Sequence, residues 1–303
     1  MANIIAVIWD FDKTLVNGYM QDPIFRKYGV DSGGFWKEVN ALPQKYMDEQ
    51  GVQVNPDTIY LNQFIRYTRE GKFKELNNAA LREYGKELCF YDGIPDIFQK
   101  TQKLISENAR YKDYDIKVEH YIISTGMTEV IKGSSVNPFV EAIWGCEFIE
   151  DIDSDGKHVI SEIGYTIDNT SKTRALFEIN KGVRQRNGVE VNTKISEELR
   201  RVHFKNMIYI ADGPSDIPAF SVVNKNGGAT FAVYPKADRK ALRQVEKMRM
   251  DGRINMYAEA DYSEGTTAFL WLTNKIEEFA DRIRKTEKLK VSNSISDTPK
   301  HLL

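Results

Sequence analysis

Ile4-Ile5-Ala6-Val7-Ile8-Trp9 runs without a break into Asp10-Phe11-Asp12-Lys13-Thr14-Leu15. No other stretch of the chain constrains its architecture as much. A short, β-branched, uninterrupted apolar run reads as a strand buried on both faces, as in a parallel sheet. If strand geometry persists to Asp12, the two-residue repeat of side chains puts Asp10 and Asp12 on one side and turns Phe11 away. Two crowded carboxylates at a strand's end are costly unless a positive partner, such as a divalent cation, sits with them. An ordinary Asp-rich turn is the other reading of the same residues.

Working outward, the chain after Leu15 changes character. Asn17-Gly18 breaks the pattern, and helical periodicity then dominates residues 20–88, with segments at 35–49, 57–70 and 75–88. Asn55-Pro56-Asp57 reads as a helix start, and Gly51 and Gly71 as stops. Tyr91-Asp92-Gly93-Ile94-Pro95 forms a second break before a helix at 96–108. Strands are predicted at 119–124, 142–148, 207–211 and 230–233, alternating with helical patterns as βαβ units do. Residues 151–168 read as a hairpin turning at Asp153-Ser154-Asp155-Gly156, residues 182–200 as a polar excursion, and residues 286–303 as a frayed polar tail. The fold class expected is α/β, a three-layer Rossmann-like core with a parallel sheet, formed by residues 1–18 and 91–285. An all-helical unit, 19–90, is inserted into it.

Composition narrows the function classes. With 42 Lys+Arg against 44 Asp+Glu in 303 residues, the net charge of −2 offers no field for nucleic acid. No apolar stretch approaches the ~20 residues that span a bilayer, and Asp10 comes too early for a signal peptide. Cys89 and Cys146 lie far apart without CxxC spacing, which suggests neither a disulfide framework nor a zinc site. A cytoplasmic protein is expected, with no membrane and no nucleic-acid partner.

Three further positions carry chemistry. Tyr121-Ile122-Ile123 ends in Ser124-Thr125-Gly126, where a hydroxyl and free N–H groups can grip a phosphate or simply cap a helix. Lys172 stands in Asn169-Thr170-Ser171-Lys172-Thr173 at a helix start, where the helix dipole disfavours a cation and the two upstream glycines of a P-loop are missing. Met207-Ile208-Tyr209-Ile210 ends in Ala211-Asp212-Gly213-Pro214-Ser215-Asp216, two acids around a Gly-Pro turn. Parallel strands bring their carboxyl ends together, and ligands bind there.

In this order, the four positions resemble the motifs of the haloacid dehalogenase (HAD) superfamily of phosphohydrolases over residues 3–280. A helical insertion after the first motif is similar to the cap of the phosphoserine phosphatase-like branch. Ala211 departs from the Gly that usually opens the fourth motif. The resemblance implies a Mg²⁺-dependent phosphatase of a small phosphorylated metabolite. By it, Asp10 is the nucleophile and Asp12 the general acid and base. Ser124, Thr125, Gly126 and Lys172 bind the phosphoryl group. The metal is held by Asp10 and Asp212 carboxylates and the Asp12 carbonyl, with Asp216 directly or through water. Alternatives are a phosphotransferase or protein phosphatase of the same fold, or a non-catalytic ligand-binding protein.

Some features are expected to be decoys. Asp151-x-Asp153-x-Asp155-Gly156 with Glu162 fits an EF-hand loop, but its flanks read as strands. Trp36, Tyr46, Tyr60, Phe64 and Tyr67 read as packing in the insertion, while Arg66 and Arg69 could meet an anionic group or only solvent. Gly18 and Gly93 mark the two crossings into the insertion and are expected to act as hinges.

Overall fold

The computed structural model of the protein describes residues 3–295. Seven strands form one sheet in the order β4-β3-β2-β1-β5-β6-β7. They are β1 Asn3–Trp9, β2 Ile116–Met127, β3 Ala142–Ile152, β4 His158–Tyr165, β5 Met207–Ala211, β6 Ala229–Tyr234 and β7 Met256–Glu259. All pairings are parallel except β3 with β4. The opening run lies at the centre, as a strand without polar residues must. Ile5, Val7 and Trp9 enter one apolar cluster while Ile4, Ala6 and Ile8 enter the other, on the opposite face. Strand periodicity has divided one hydrophobic run between two layers.

Parallel neighbours require crossovers. Between β1 and β2 the chain forms α1 Asp22–Tyr28, α2 Ser32–Gln50, α3 Ile59–Arg69, α4 Asn78–Gly85 and α5 Asp96–Ser106. The first four gather around Phe25, Phe35, Phe64 and Phe73, with ring centroids 4.8 Å apart for Phe25–Phe35 and 4.9 Å for Phe64–Phe73. Helix α3 starts two residues later than the sequence predicts: Asp57 lies in a turn, its N–H donating to Asn55 Oδ1 (3.0 Å), while its carboxylate accepts from the Asn169 N–H (3.2 Å). Helix α4 is shorter than predicted. Glu75 has a positive φ of 59°, outside helical space, and Asn77 caps the helix by accepting from the Ala80 N–H (2.8 Å).

The two crossings into these helices are tied together: Asn17 N–H donates to the Cys89 carbonyl (2.8 Å) and Tyr91 N–H to that of Leu15 (3.0 Å). Gly93, at the second crossing, is closely packed against the core. A Cβ there would lie 2.2 Å from the Tyr262 carbonyl carbon, and Tyr262 N–H donates to the Asp92 carbonyl (2.8 Å). Helix α4 is likewise pressed onto α6 (Thr128–Gly133), where a Cβ on Gly133 would meet the Arg82 carbonyl oxygen at 1.8 Å.

The remaining helices are α7 Ser171–Lys181, α8 Ile217–Lys225, α9 Arg239–Met250 and α10 Thr267–Ile295. Helix α10 corrects the expectation of a frayed tail. Residues 286–295 continue it, with Lys290 paired to Glu287 one turn earlier (2.6 Å), while 296–303 lie outside the described residues. Residues 151–168 hold the expected hairpin. In its turn the Asp153 carboxylate accepts from the Asp155 and Lys157 N–H groups (both 2.9 Å). Among the described residues no helix is long and apolar enough to cross a membrane.

Candidate active site

Asp10 directly follows β1 and Asp212 directly follows β5. These strands are parallel neighbours, so both acids emerge at the same end of the sheet. Asp216 closes the turn after Asp212. Asp10, Asp212 and Asp216 each present a carboxylate oxygen within 4.8 Å of the others. Lys172 enters from the first turn of α7 and is 1% exposed. Its Nζ donates to Asp10 Oδ1 and to Asp216 Oδ1, both at 2.7 Å. Two carboxylates thus compensate the unfavourable helix dipole that made this lysine unexpected.

Neighbours fix these groups further. Thr14 Oγ1 donates to Asp10 Oδ2 (3.3 Å), and Asp10 N–H to the Ile210 carbonyl (2.9 Å). Asp216 also accepts from the Tyr209 hydroxyl at Oδ1 (2.6 Å) and the Ser215 hydroxyl at Oδ2 (2.9 Å). Asp12 goes elsewhere. Strand geometry ends at Trp9, Lys13 takes a φ of 56°, and the Asp12 carboxylate accepts from the Met20 N–H (2.8 Å). It lies outside the three-acid group, though near enough to Asp10 and Asp212 for their charges to act on it.

The electrostatics are those of a site short of positive charge. Burial pushes the Asp10 carboxyl up to about 6, against the pull of Lys172 and helped by Asp216. Burial, then Asp10 and Asp216, push Asp212 up to about 7. Asp12 rises well above the usual carboxylate range through burial and the nearness of Asp10. Burial alone would lower the Lys172 ammonium, but Asp10 and Asp216 outweigh it and raise its pKa, keeping it charged. Three carboxylates face one ammonium. The all-oxygen donor set of Asp10 and Asp212 fits a hard divalent cation, which would relieve this crowding. Both Asp216 oxygens already accept from protein groups.

Ser124, inside β2, is buried, and its Oγ accepts from the Gly126 N–H (2.9 Å), leaving its own hydrogen to donate elsewhere. The Thr125 carbonyl accepts from the Tyr60 hydroxyl (2.9 Å), so this ring of α3 reaches the carboxyl end of β2. Gly126 packs closely against Met20: a Cβ there would lie 2.1 Å from Met20 Cε. Arg66 and Arg69 stay away from the acids. They bond to the Tyr46 hydroxyl and, at 3.0 Å, the Ser161 carbonyl.

Sequence reasoning gave no role to Thr14, Met20 or Tyr209. Thr14 belonged to the quoted Asp-x-Asp-x-Thr string and could have been found there. Tyr209 is hidden in an apolar strand, and Met20 in a linker.

No family model matches the chain. An uncharacterized protein of Borreliella burgdorferi (strain ATCC 35210 / DSM 4680 / CIP 102532 / B31) is 37% identical over 287 residues, covering 90% of this chain and 97% of its own. Among solved structures, a HAD family hydrolase from Salmonella enterica subsp. enterica serovar Typhi superposes with a TM-score of 0.50 at 15% identity, over 85% of this chain and 67% of that one. A phosphoserine phosphatase in apo form reaches a TM-score of 0.49 at 14% identity, over 85% and 93%. The chain belongs to one family with the Borreliella protein, and its fold is that of the haloacid dehalogenase superfamily.

Proposed function

We propose that the protein is a Mg²⁺-dependent phosphomonoester hydrolase that acts on a small phosphorylated metabolite through an aspartyl phosphate on Asp10. The observation that carries this reading is the buried Lys172 bridging Asp10 and Asp216 beside Asp212. A purely structural core has no use for three carboxylates and one ammonium in so small a volume. A non-catalytic binding protein would not need Asp10 and Asp12 in distinct settings.

In the first step an Asp10 carboxylate oxygen forms a bond to phosphorus as the bond to the leaving oxygen breaks, and Asp12 gives its proton to that oxygen. The raised pKa of Asp12 suits it to hold that proton. In the second step Asp12 takes a proton from water, whose oxygen bonds to phosphorus as the Asp10 ester oxygen departs. Lys172 holds Asp10 in place and balances the phosphoryl charge, while the Ser124 hydroxyl donates to a phosphoryl oxygen. Thr125 and Gly126 shape the same end of β2. Mg²⁺ on the Asp10 and Asp212 carboxylates and the Asp12 carbonyl would offset phosphate charge against an anionic nucleophile. Asp216 positions Lys172 and would serve the metal directly or through water. Residues 1–18 and 91–285 form the catalytic core in this reading, and 19–90 its cap, with Tyr60 linking the two.

Hydrolysis of p-nitrophenyl phosphate with and without Mg²⁺, by the native protein and Asp10→Asn, tests the reading. Mg²⁺-dependent turnover that disappears in the variant, with a phosphoryl adduct trapped on Asp10, supports it. No turnover of this or any of a panel of phosphorylated metabolites would overturn it.

A further inference from the structure

A second charged region lies at the opposite end of the sheet. There Asn3 opens β1, Asn206 precedes β5, and the last turn of α7 ends near the 200–205 segment. Two adjoining clefts, of about 280 Å³ and 70 Å³, share Arg200, His203 and Lys205. The smaller is completed by Arg282 and Lys290 of α10, with Glu287. The larger is walled by Phe177 and Phe204, whose rings meet edge to face at 5.1 Å, with Asn180 and Asn226. Four permanent cations thus line the pair against two acids, Glu197 and Glu287, on a chain whose net charge is −2.

Lys290 is paired with Glu287 (2.6 Å), and Arg200 donates to the Ile195 carbonyl (3.0 Å) and to Asn180 Oδ1, but the Lys205 ammonium, which lines both clefts, has no hydrogen-bond or ion-pair partner among the described residues. Arg282 donates through Nη2 to the Lys205 carbonyl and to Asn206 Oδ1 (3.2 Å), but its Nε is enclosed and finds no acceptor. Burial lowers its pKa, with only Glu278 opposing. His203 is also held below its ordinary range, by burial and then by Lys205, with Lys290 and Arg200 adding to the effect and Glu197 resisting it. An unpartnered Lys205 ammonium shared by both clefts, among cations that discourage a fifth charge, suits an anion.

We propose that this basal cleft binds a nucleoside polyphosphate. Its phosphates meet Lys205, Arg282 and Lys290, and its base lies against Phe177 and Phe204. Flat aromatic walls beside a cationic floor match a ligand with a planar apolar part and a polyanionic tail. The site is separate from the proposed catalytic centre. Strand β1 and helix α7 each span the molecule between the two, with Lys172 at one end of α7 and Phe177 and Asn180 towards the other.

Calorimetric titration of the full chain with ATP and with tripolyphosphate, in the presence of a chelator, tests the proposal, alongside NMR of the His203 ring. ATP is expected to bind and to raise the His203 pKa, and Lys205→Glu/Lys290→Glu should weaken binding about 100-fold or more. Phe177→Ala should bring ATP down to the affinity of tripolyphosphate. Hydrolysis of p-nitrophenyl phosphate should be unchanged in all these variants, which separates this site from the catalytic reading. Absence of ATP binding, binding that leaves His203 unmoved, or equal affinity of native protein for ATP and tripolyphosphate would each overturn it.

Discussion

Trp9 and Asp10 are consecutive, yet they lead into two buried polar clusters of opposite kind. Trp9 Nε1 donates to His120 Nδ1 (3.1 Å), and His120 Nε2 lies 3.0 Å from Thr101 Oγ1, whose own hydrogen can go to the Ile97 or Phe98 carbonyl. That chain is satisfied if His120 is neutral with its proton on Nε2. Burial accordingly drives its pKa down to about 3. Lys172 is as deeply buried but keeps its charge, because two carboxylates hold it. Burial neutralises a group whose partners need no charge, and retains charge where several ionised groups must share a site. The first arrangement serves the fold. The second is the kind that catalysis requires.

The largest effect that would test this contrast is at Lys172. Lys172→Met should reduce turnover of an aryl phosphate by about 10³-fold or more, since it removes the cation beside the nucleophile. Asp10→Asn should abolish turnover while circular dichroism stays native, because the amide oxygen can still accept from Lys172. Turnover within tenfold of native would place Lys172 with His120 as a structural group in the first variant and would remove Asp10 as the nucleophile in the second. Chelation should likewise abolish activity and added Mg²⁺ restore it, with Ca²⁺ inhibiting through its larger, looser coordination sphere. Full activity after exhaustive chelation would show that the acid cluster needs no cation.

His120 should reveal itself in stability rather than turnover. Its folded pKa lies below the 6.5 of the unfolded chain, so the unfolded state binds the extra proton between pH 6.5 and about 3. Stability from this group is therefore complete above pH 6.5 and declines as pH falls, by up to ~1.4 kcal/mol per unit. Urea unfolding of native protein and His120→Gln at pH 7 and pH 5 isolates the term. Equal pH slopes in the two proteins would mean that His120 titrates normally. A further sharpening concerns how firmly the helical insertion is held. Gly133→Ala forces a methyl onto the Arg82 carbonyl and should cost about 1–3 kcal/mol in thermal stability. An unchanged melting temperature would show that α4 and α6 can part easily. The smallest effect is expected from Tyr209→Phe. It deletes one donor to Asp216 while Lys172 and Ser215 remain, and should cost about 1 kcal/mol of stability with a few-fold loss of turnover.

Legibility differed by region for physical reasons. The central strand was readable because burial on both faces leaves no polar residue to blur the run, and β5 was predicted to the residue. Helix α10 was missed past Lys285 because its last turns are polar, and helical spacing without an apolar stripe gives no signal. The start of α3 was misplaced because Asn55-Pro56-Asp57 reads equally as a helix start and as a turn, and the Asn55 side chain closes a turn on the Asp57 N–H. Met20 and Tyr60 carried no mark of their place beside the carboxyl end of β2.

Most of the strands, though not the edge strand β7, could be read along the chain, as could the glycine-marked crossings and the acids and lysine at strand and helix ends. Those follow from local rules of periodicity and turn chemistry, which act within a few residues. Only the tertiary structure decided that Lys172 bridges Asp10 and Asp216, that Asp12 turns to Met20 instead, and that Gly93 and Gly133 are clamped by backbone. Such outcomes depend on which distant groups share a buried volume, where each charge must find its partner or give up its proton.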